Sequence, residues 1–320
     1  MTAARQILFA FTALCCSLTA YAETTQKAVL VTGASSGIGL KITEVLAADG
    51  YFVYAGARKP ADLERLDAME NVQAVRLDVT YAEDIAAALA TIEKAGRGLY
   101  GIVNNAGVAL LGPLIETDIE ELEWLFDVNV YGPYRITQAF APLVLETKGR
   151  VVNISSISGI LSGGMLGQYS MSKHALEAYT DALAAELEPF GVKVSAVEPG
   201  NYNSNIGETI VKRIENGSLD LDESRYADQL KAIAAQGGDR SRYKEPDEVA
   251  EAVLHALSDD NPKRRYMVTP DQRSAEITIR KAIEELVQLN EEHRYSYDRD
   301  ALIQMVDETL QRSRLARAAE

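Results

Sequence analysis

The chain has 320 residues, 47% of them apolar and 25% charged, the mix of a soluble globular protein; a disordered, collagen-like or disulfide-stapled chain is excluded. Lys and Arg number 32 against 47 Asp and Glu, a formal charge of −15 dispersed along the sequence. An acidic surface repels phosphate, so no nucleic-acid partner is expected.

The first segment reads as a targeting signal. Arg5 supplies a positive start, residues 7–20 form an apolar run, and Ala20-Tyr21-Ala22 is a small-x-small cleavage site. A span of the bilayer needs about 20 apolar residues, so no stable membrane span is expected. The reading is a signal peptide over 1–22 and an exported protein, periplasmic or secreted, with a cytoplasmic or N-terminally anchored protein as the alternative. Cys15 and Cys16 both lie inside this segment, which leaves the mature chain without thiol or disulfide.

From Lys27 onward, strand-like runs at 28–32, 52–57, 72–77, 101–104, 149–154, 192–197 and 265–269 alternate with helix-like ones. The main helical runs are 38–49, 81–95, 118–146 and 169–190. The alternation predicts an α/β fold, a Rossmann-like doubly wound parallel sheet of about seven strands. Several strands are nearly continuous apolar runs, as burial on both faces requires. Ligands of such sheets bind outside the carboxyl ends of the strands. A polar stretch, 201–245, interrupts the pattern and reads as a substrate loop. Helix resumes at Glu245-Pro246-Asp247-Glu248-Val249, with Pro and acids near its start. In the tail, Ile279, Ile283 and Leu286, then Leu302, Val306 and Leu310, recur at helical spacing. The expected division is a dinucleotide-binding catalytic domain over 23–270 and a helical extension over 271–320 packed on it.

The sharpest local signal is the run Ala28-Val-Leu-Val-Thr32-Gly33-Ala34-Ser35-Ser36-Gly37-Ile38-Gly39. Gly33 lets the chain turn tightly, Gly37 lets backbone approach a pyrophosphate, and Gly39 lets the helix pack close to the sheet. The helix N-terminus then attracts phosphate. Glycines alone are weak evidence, but here strand, spacing and following helix agree.

The spacing G-x-x-x-G-x-G after Thr32 resembles that of the short-chain dehydrogenase/reductase family. Its further landmarks follow in order: Asn104-Asn105-Ala106-Gly107, Asn129 in a long helix, Asn153-Ile-Ser155-Ser156, Tyr169-Ser-Met-Ser-Lys173 and Pro199-Gly200. The resemblance covers 27–269 and implies hydride transfer between a nicotinamide cofactor and an alcohol or carbonyl. It implies Tyr169 as general acid/base, Lys173 on the nicotinamide ribose and tuning Tyr169, Ser156 on the substrate oxygen and Asn129 in a proton relay. Ser155 and Ser158 are the neighbours most easily confused with Ser156. The chemistry accounts for these types: a free phenol with a pKa near 10 is a poor base at neutral pH, and a nearby ammonium favours phenolate. Residues i and i+4 share a helix face, so Lys173 can lie beside Tyr169.

The same resemblance assigns the cofactor wall to Gly33, Ser35, Ser36, Gly37, Ile38, Gly39, Asp78, Val79, Asn105, Ala106, Gly107, Tyr169, Lys173, Pro199, Gly200 and Ser204. Asp78 would meet the adenine amine, and Asn104 with Ala106-Gly107 would pack along the adenosine ribose. A helix N-cap is the alternative for Asp78, although Thr80 with Glu83 competes for it. The second strand ends Ala57-Arg58-Lys59, with two cations and no acid. NAD-binding relatives place an acid there, and a base accommodates a 2′-phosphate, so NADP(H) is favoured through Arg58, with NAD(H) possible.

His174, His255 and His293 are scattered without ligand spacing, and no metal site is indicated. The substrate is expected between Tyr169 and the loop, near Leu110, Leu111 and Met165, and is expected to be a hydrophobic small molecule. Family habit implies a homodimer or homotetramer through the helices that begin near Asp118 and Tyr169. An exported site has no evident supply of NADPH. The alternatives are therefore a nucleotide-binding or sensing protein with little turnover, or a dehydratase or epimerase of the same family.

Overall fold

The computed structural model describes residues 26–204, 206, 223–235 and 241–318; the expected signal peptide, both cysteines and much of the expected substrate loop lie outside the described residues. Seven strands form one parallel sheet: β1 (Ala28–Val31), β2 (Phe52–Ala57), β3 (Val72–Arg76), β4 (Gly101–Asn104), β5 (Arg150–Ile154), β6 (Lys193–Pro199) and β7 (Arg265–Val268). Their order is β3-β2-β1-β4-β5-β6-β7. The order reverses between β1 and β4, where Val31 pairs with Val103, and that crevice is where such a sheet binds ligands.

Helices close both faces. On one side, α1 (Gly37–Ala48) and a helix at Asp247–Ser258 pack on Val29, Val31, Val53 and Ala55. On the other, α3 (Ala82–Ala95) and α5 (Gly132–Thr147) pack on Leu30, Tyr54 and Ile102. The alternation of Val29 and Val31 with Ala28 and Leu30 shows the two-residue period of a strand buried on both faces. A short helix absent from the sequence reading, α2 (Pro60–Asp67), starts at a proline and leads into β3; at its first position the missing N–H costs nothing.

The expected single helix over 118–146 is broken. It runs as α4 (Ile119–Phe126), a π turn (Asp127–Tyr131) and α5. Pro133 near the start of α5 has no N–H to give the carbonyl of Asn129 four residues back, so regular α-bonding cannot pass through this point. Helix α6 (Gly167–Leu187) starts one half-turn before Tyr169. Then come α7 (Ala227–Ala234), α8 (Asp247–Ser258), α9 (Gln272–Asn290) and α10 (Arg299–Ala318).

The tail is helical as expected, but it does not pack on the domain along its length. Asp271 caps α9 by accepting the Ser274 N–H, and Thr278 is buried. Beyond it Ile279, Ile283 and Leu286 are exposed, as are Val306 and Leu310. Both faces of the sheet are already covered by other helices, so apolar spacing specified an amphipathic helix without specifying a partner.

Candidate active site

At the β1–α1 turn Gly33 has φ +66° and sits against the β4 loop. A Cβ on Gly39 would come within 2.2 Å of Gly33 O and 2.4 Å of Asn105 Nδ2, so α1 meets the turn at a distance only glycine permits. Asn105 Nδ2 donates to Thr32 O at 2.9 Å and Gly33 O at 3.1 Å. Thr32 Oγ1 accepts the N–H groups of Asn105 and Ala106, each at 3.0 Å. The glycine turn and the N-N-A-G turn are therefore one hydrogen-bonded unit. Ser36 precedes α1 without capping it through its side chain. The first N–H groups of α1 thus have no side-chain acceptor, the arrangement that receives a phosphate.

A cavity of about 970 Å³ runs along the carboxyl ends of the strands. It is lined by Gly33, Ser35, Ser36, Gly37, Ile38, Gly39, Arg58, Asp78, Val79, Asn105, Ala106, Gly107, Pro199, Gly200 and Ser204, together with Tyr169, Lys173 and Ser156. These walls suit a dinucleotide: a glycine-lined turn, a helix N-terminus and polar groups at both ends. Asn104 differs from expectation. It is buried and donates to Thr137 Oγ1 and Asn153 Oδ1, tying β4 to α5 and β5 instead of meeting a ribose.

At the β2 end of the cavity Arg58 Nη1 lies 3.4 Å from Asp78 Oδ2, and the Arg58 side chain is 67% exposed. Asp78 Oδ1 accepts from both the N–H and the hydroxyl of Thr80. Burial opposes ionisation of Asp78, but the Thr80 hydrogen bonds and Arg58 outweigh it and hold the carboxyl below its ordinary value. The Thr80–Glu83 capping alternative does not form, because Thr80 spends its hydroxyl on Asp78 and Tyr81 occupies the cap position of α3. Asp62, unnoticed in the sequence, lines the same wall and pairs with Arg65.

At the other end Lys173 is buried and its Nζ donates to Ile154 O at 2.9 Å, 5.7 Å from the centroid of the Tyr169 ring. Burial pushes Lys173 down to about 8, against the pull of Glu177, which favours the ammonium. Ser156 Oγ accepts the Ser158 N–H and faces the cavity. Ser155 Oγ is buried without a hydrogen bond, and a Cβ on Gly159 would come within 3.1 Å of it; Ser155, Ser156 and Ser158 all line the cavity. Asn129 is 1% exposed and does not line the cavity. Its side chain accepts from Val108 N and donates to Val108 O and Ser172 Oγ. Pro133 leaves the main-chain carbonyl of Asn129 without its α-helical donor.

The substrate side is wider than the sequence reading. Leu111 lines the cavity, but Leu110 and Met165 do not; Trp124, Leu161, Leu166, Ile233, Arg242, Tyr243 and Ile277 do. His174 Nδ1 bonds Ser170 O within α6. Among the described residues no group of three His, Cys, Asp or Glu could hold a metal ion, and no helix is long and apolar enough to cross a membrane.

The short chain dehydrogenase family model matches residues 27–215. The chain belongs to this family. An oxidoreductase of Escherichia coli, YbbO, whose own name calls it uncharacterized, is 37% identical over 251 residues, covering 76% of this chain and 86% of its own length. The mitochondrial D-beta-hydroxybutyrate dehydrogenase of Bos taurus is 35% identical over 262 residues, covering 75% and 76%. Among solved structures, a short-chain dehydrogenase/reductase from Burkholderia phymatum in complex with NAD aligns with TM-score 0.70 at 25% identity, covering 85% of this chain and 97% of that one. One from Burkholderia cenocepacia in complex with NADP aligns with TM-score 0.63 at 25% identity, covering 82% and 95%. This short-chain dehydrogenase is thus an oxidoreductase whose structural neighbours bind NAD or NADP.

Proposed function

We propose that this protein is an NADP(H)-dependent oxidoreductase that interconverts an alcohol and a ketone or aldehyde, with Tyr169 as general acid/base. The observation that carries the reading is the convergence of Tyr169, Lys173 and Ser156 on the cavity walled by the glycine turn. When bound, the nicotinamide supplies or accepts the hydride. Ser156 then holds the substrate oxygen. Tyr169 gives that oxygen its proton in reduction and takes it in oxidation, and the Lys173 ammonium favours the phenolate between turnovers. Asn129 stabilises the loop at Val108 and offers its main-chain carbonyl to a proton path. The exposed Arg58 beside Asp78 supports the NADP reading: turned from Asp78, it would meet a 2′-phosphate.

Apolar walls at Leu111, Trp124, Leu161 and Leu166 support a hydrophobic substrate, while Arg242 on the same cavity favours a second reading, a substrate with an anionic end. Similarity to a hydroxybutyrate dehydrogenase favours it also. Exposed Ile119, Tyr131, Tyr134 and Met171 on α4 to α6 support assembly into a homodimer or homotetramer through these helices. Export after cleavage near Ala22 remains part of the proposal, and intact-mass analysis from the native host tests it: a chain starting at Met1 overturns it.

The functional test is a fluorescence titration of full chain with NADPH and NADH in parallel, followed by turnover of neutral secondary alcohols and 3-hydroxy acids. NADPH should bind more tightly, Arg58→Ala should weaken NADPH far more than NADH, and Tyr169→Phe should abolish turnover while keeping cofactor binding. Equal losses for the two cofactors would remove the Arg58 assignment, and wild-type turnover by Tyr169→Phe would remove the mechanism.

A further inference from the structure

Behind the Tyr169–Lys173 face, charged side chains from three elements meet in a largely buried cluster. Glu177 and Asp181 follow Lys173 by one and two turns of α6, Glu198 lies near the end of β6, and Arg265 opens β7. Arg265 Nε is 3.0 Å from Glu177 Oε2 and 3.3 Å from Glu198 Oε1, and its Nη2 donates to Asp181 Oδ2 at 2.7 Å. Glu198 is 2% exposed and Glu177 8%, whereas the Asp181 side chain is 52% exposed and keeps its contact with water. Two buried carboxylates therefore share one guanidinium nitrogen. Two like charges held on one guanidinium in a desolvated site repel, which raises the cost of ionising the second.

The two are not equivalent. Glu198 is the deeper and has the longer contact with Arg265; burial, then Glu177, push it up to about 7. Glu177 lies one turn from Lys173 on the same helix face, and its Oε1 is buried without a hydrogen bond. That oxygen faces the Gly159 turn, where a Cβ on Gly159 would come within 3.2 Å of it and 3.1 Å of Ser155 Oγ. The charged groups around Glu177 are Lys173 and Asp181 from α6, Glu198 from β6 and Arg265 from β7; the turn at Ile157–Gly159 adds only serine hydroxyls.

We propose that Glu177 is a positioning residue for the acid/base step: its carboxylate keeps Lys173 an ammonium beside Tyr169, while Glu198 holds a proton that leaves Arg265 to Glu177. The role assigned to Lys173 above is the reading on which this rests. Neither carboxylate touches substrate or cofactor. The device offsets the cost of burying a lysine where the chemistry needs a cation.

Competitive labelling of the full, cofactor-free chain with acetic anhydride, read peptide by peptide in a mass spectrometer across pH, gives the midpoint of Lys173 without any substrate. Glu177→Gln should lower that midpoint by about one unit, and Glu177→Asp, which keeps the charge, should restore most of it. Glu198→Gln, whose carboxyl meets Arg265 and not Lys173, should leave it within about 0.3 unit. An unmoved midpoint in Glu177→Gln, or an equal fall in Glu198→Gln, overturns the proposal. If Glu177→Gln fails to fold, the infrared difference between wild type and Glu198→Gln at about pH 6 decides: a protonated-carboxyl band present only in wild type supports the proposal, and its absence refutes it. Absence of turnover with every substrate would sink the oxidoreductase reading and leave the labelling result intact, so the two failures are distinguishable.

Discussion

Gly39→Ala is the substitution that most directly tests how the cofactor turn is built. The added methyl would stand 2.2 Å from Gly33 O and 2.4 Å from Asn105 Nδ2, where unstrained carbon contacts need about 3.5 Å. A backbone oxygen cannot rotate aside, so α1 must withdraw by roughly 1 Å or the turn must yield. Overpacking of this kind costs about 1–3 kcal/mol. Displacing Asn105 also strains its bonds to Thr32 O and Gly33 O, each worth about 1 kcal/mol. The sum, about 3–5 kcal/mol, corresponds to a fall in Tm of roughly 10 °C for a domain of this size. The same withdrawal moves the N–H groups of α1 away from the site of the pyrophosphate. Weakening two charge-assisted bonds of about 1.5–3 kcal/mol each lowers NADPH affinity by more than about 100-fold. Thermal unfolding and NADPH titration read the two effects separately. Gly164→Ala is the control, because nothing lies within 4 Å of a Cβ there. A Gly39→Ala protein with wild-type Tm and wild-type NADPH affinity would show that α1 does not meet the turn as described.

Three further outcomes follow from the buried charges and the tail. Glu198 is raised from 4.5 to about 7 by burial and then by Glu177, so the folded chain holds a proton there that the unfolded chain releases. That contribution is complete below about pH 4.5 and is lost as pH rises through 7; wild type should lose up to about 3 kcal/mol relative to Glu198→Gln between pH 4.5 and 8, and parallel stability curves would contradict it. Arg265→Met strips Glu177 and Glu198 of their shared cation and should cost about 3–5 kcal/mol, part of which a second substitution, Glu198→Gln, restores; denaturant midpoints decide, and a neutral Arg265→Met would mean the cluster is hydrated. Removing everything after Asn290 deletes α10, whose Ile303, Val306 and Leu310 are exposed, and should shift Tm by less than about 2 °C with NADPH affinity kept; a large loss would show that α10 packs in solution.

What could be read from residues alone divides along the distance between them. The strands were legible because each is buried on both faces and so is written as an unbroken apolar run, as in Ala28–Val31. Tyr169 and Lys173 were legible because four residues on a helix make a face, and the cavity-lining glycines because their turn, strand and helix are consecutive. Asn104 went astray through side-chain alternation: it ends β4 with its amide turned toward Thr137 and Asn153, while Asn105, one residue on, reaches the glycine turn. Leu110 and Met165 differ for another reason: a loop gives no period from which to read direction. The break at Asp127–Tyr131 needed Pro133 to be read for the carbonyl it deprives as well as for the helix it begins. The Arg265 cluster lay beyond reach altogether, because Glu177 and Arg265 are 88 residues apart and neither belongs to a motif. Yet that cluster stands directly behind the one pair that the spacing identified. Four residues on α6 can place an ammonium beside a phenol, but whether the ammonium keeps its charge once buried is decided by Glu177 and its neighbours on β6 and β7. A motif therefore names the groups that meet the reacting atoms, and the fold sets the protonation states in which they meet them.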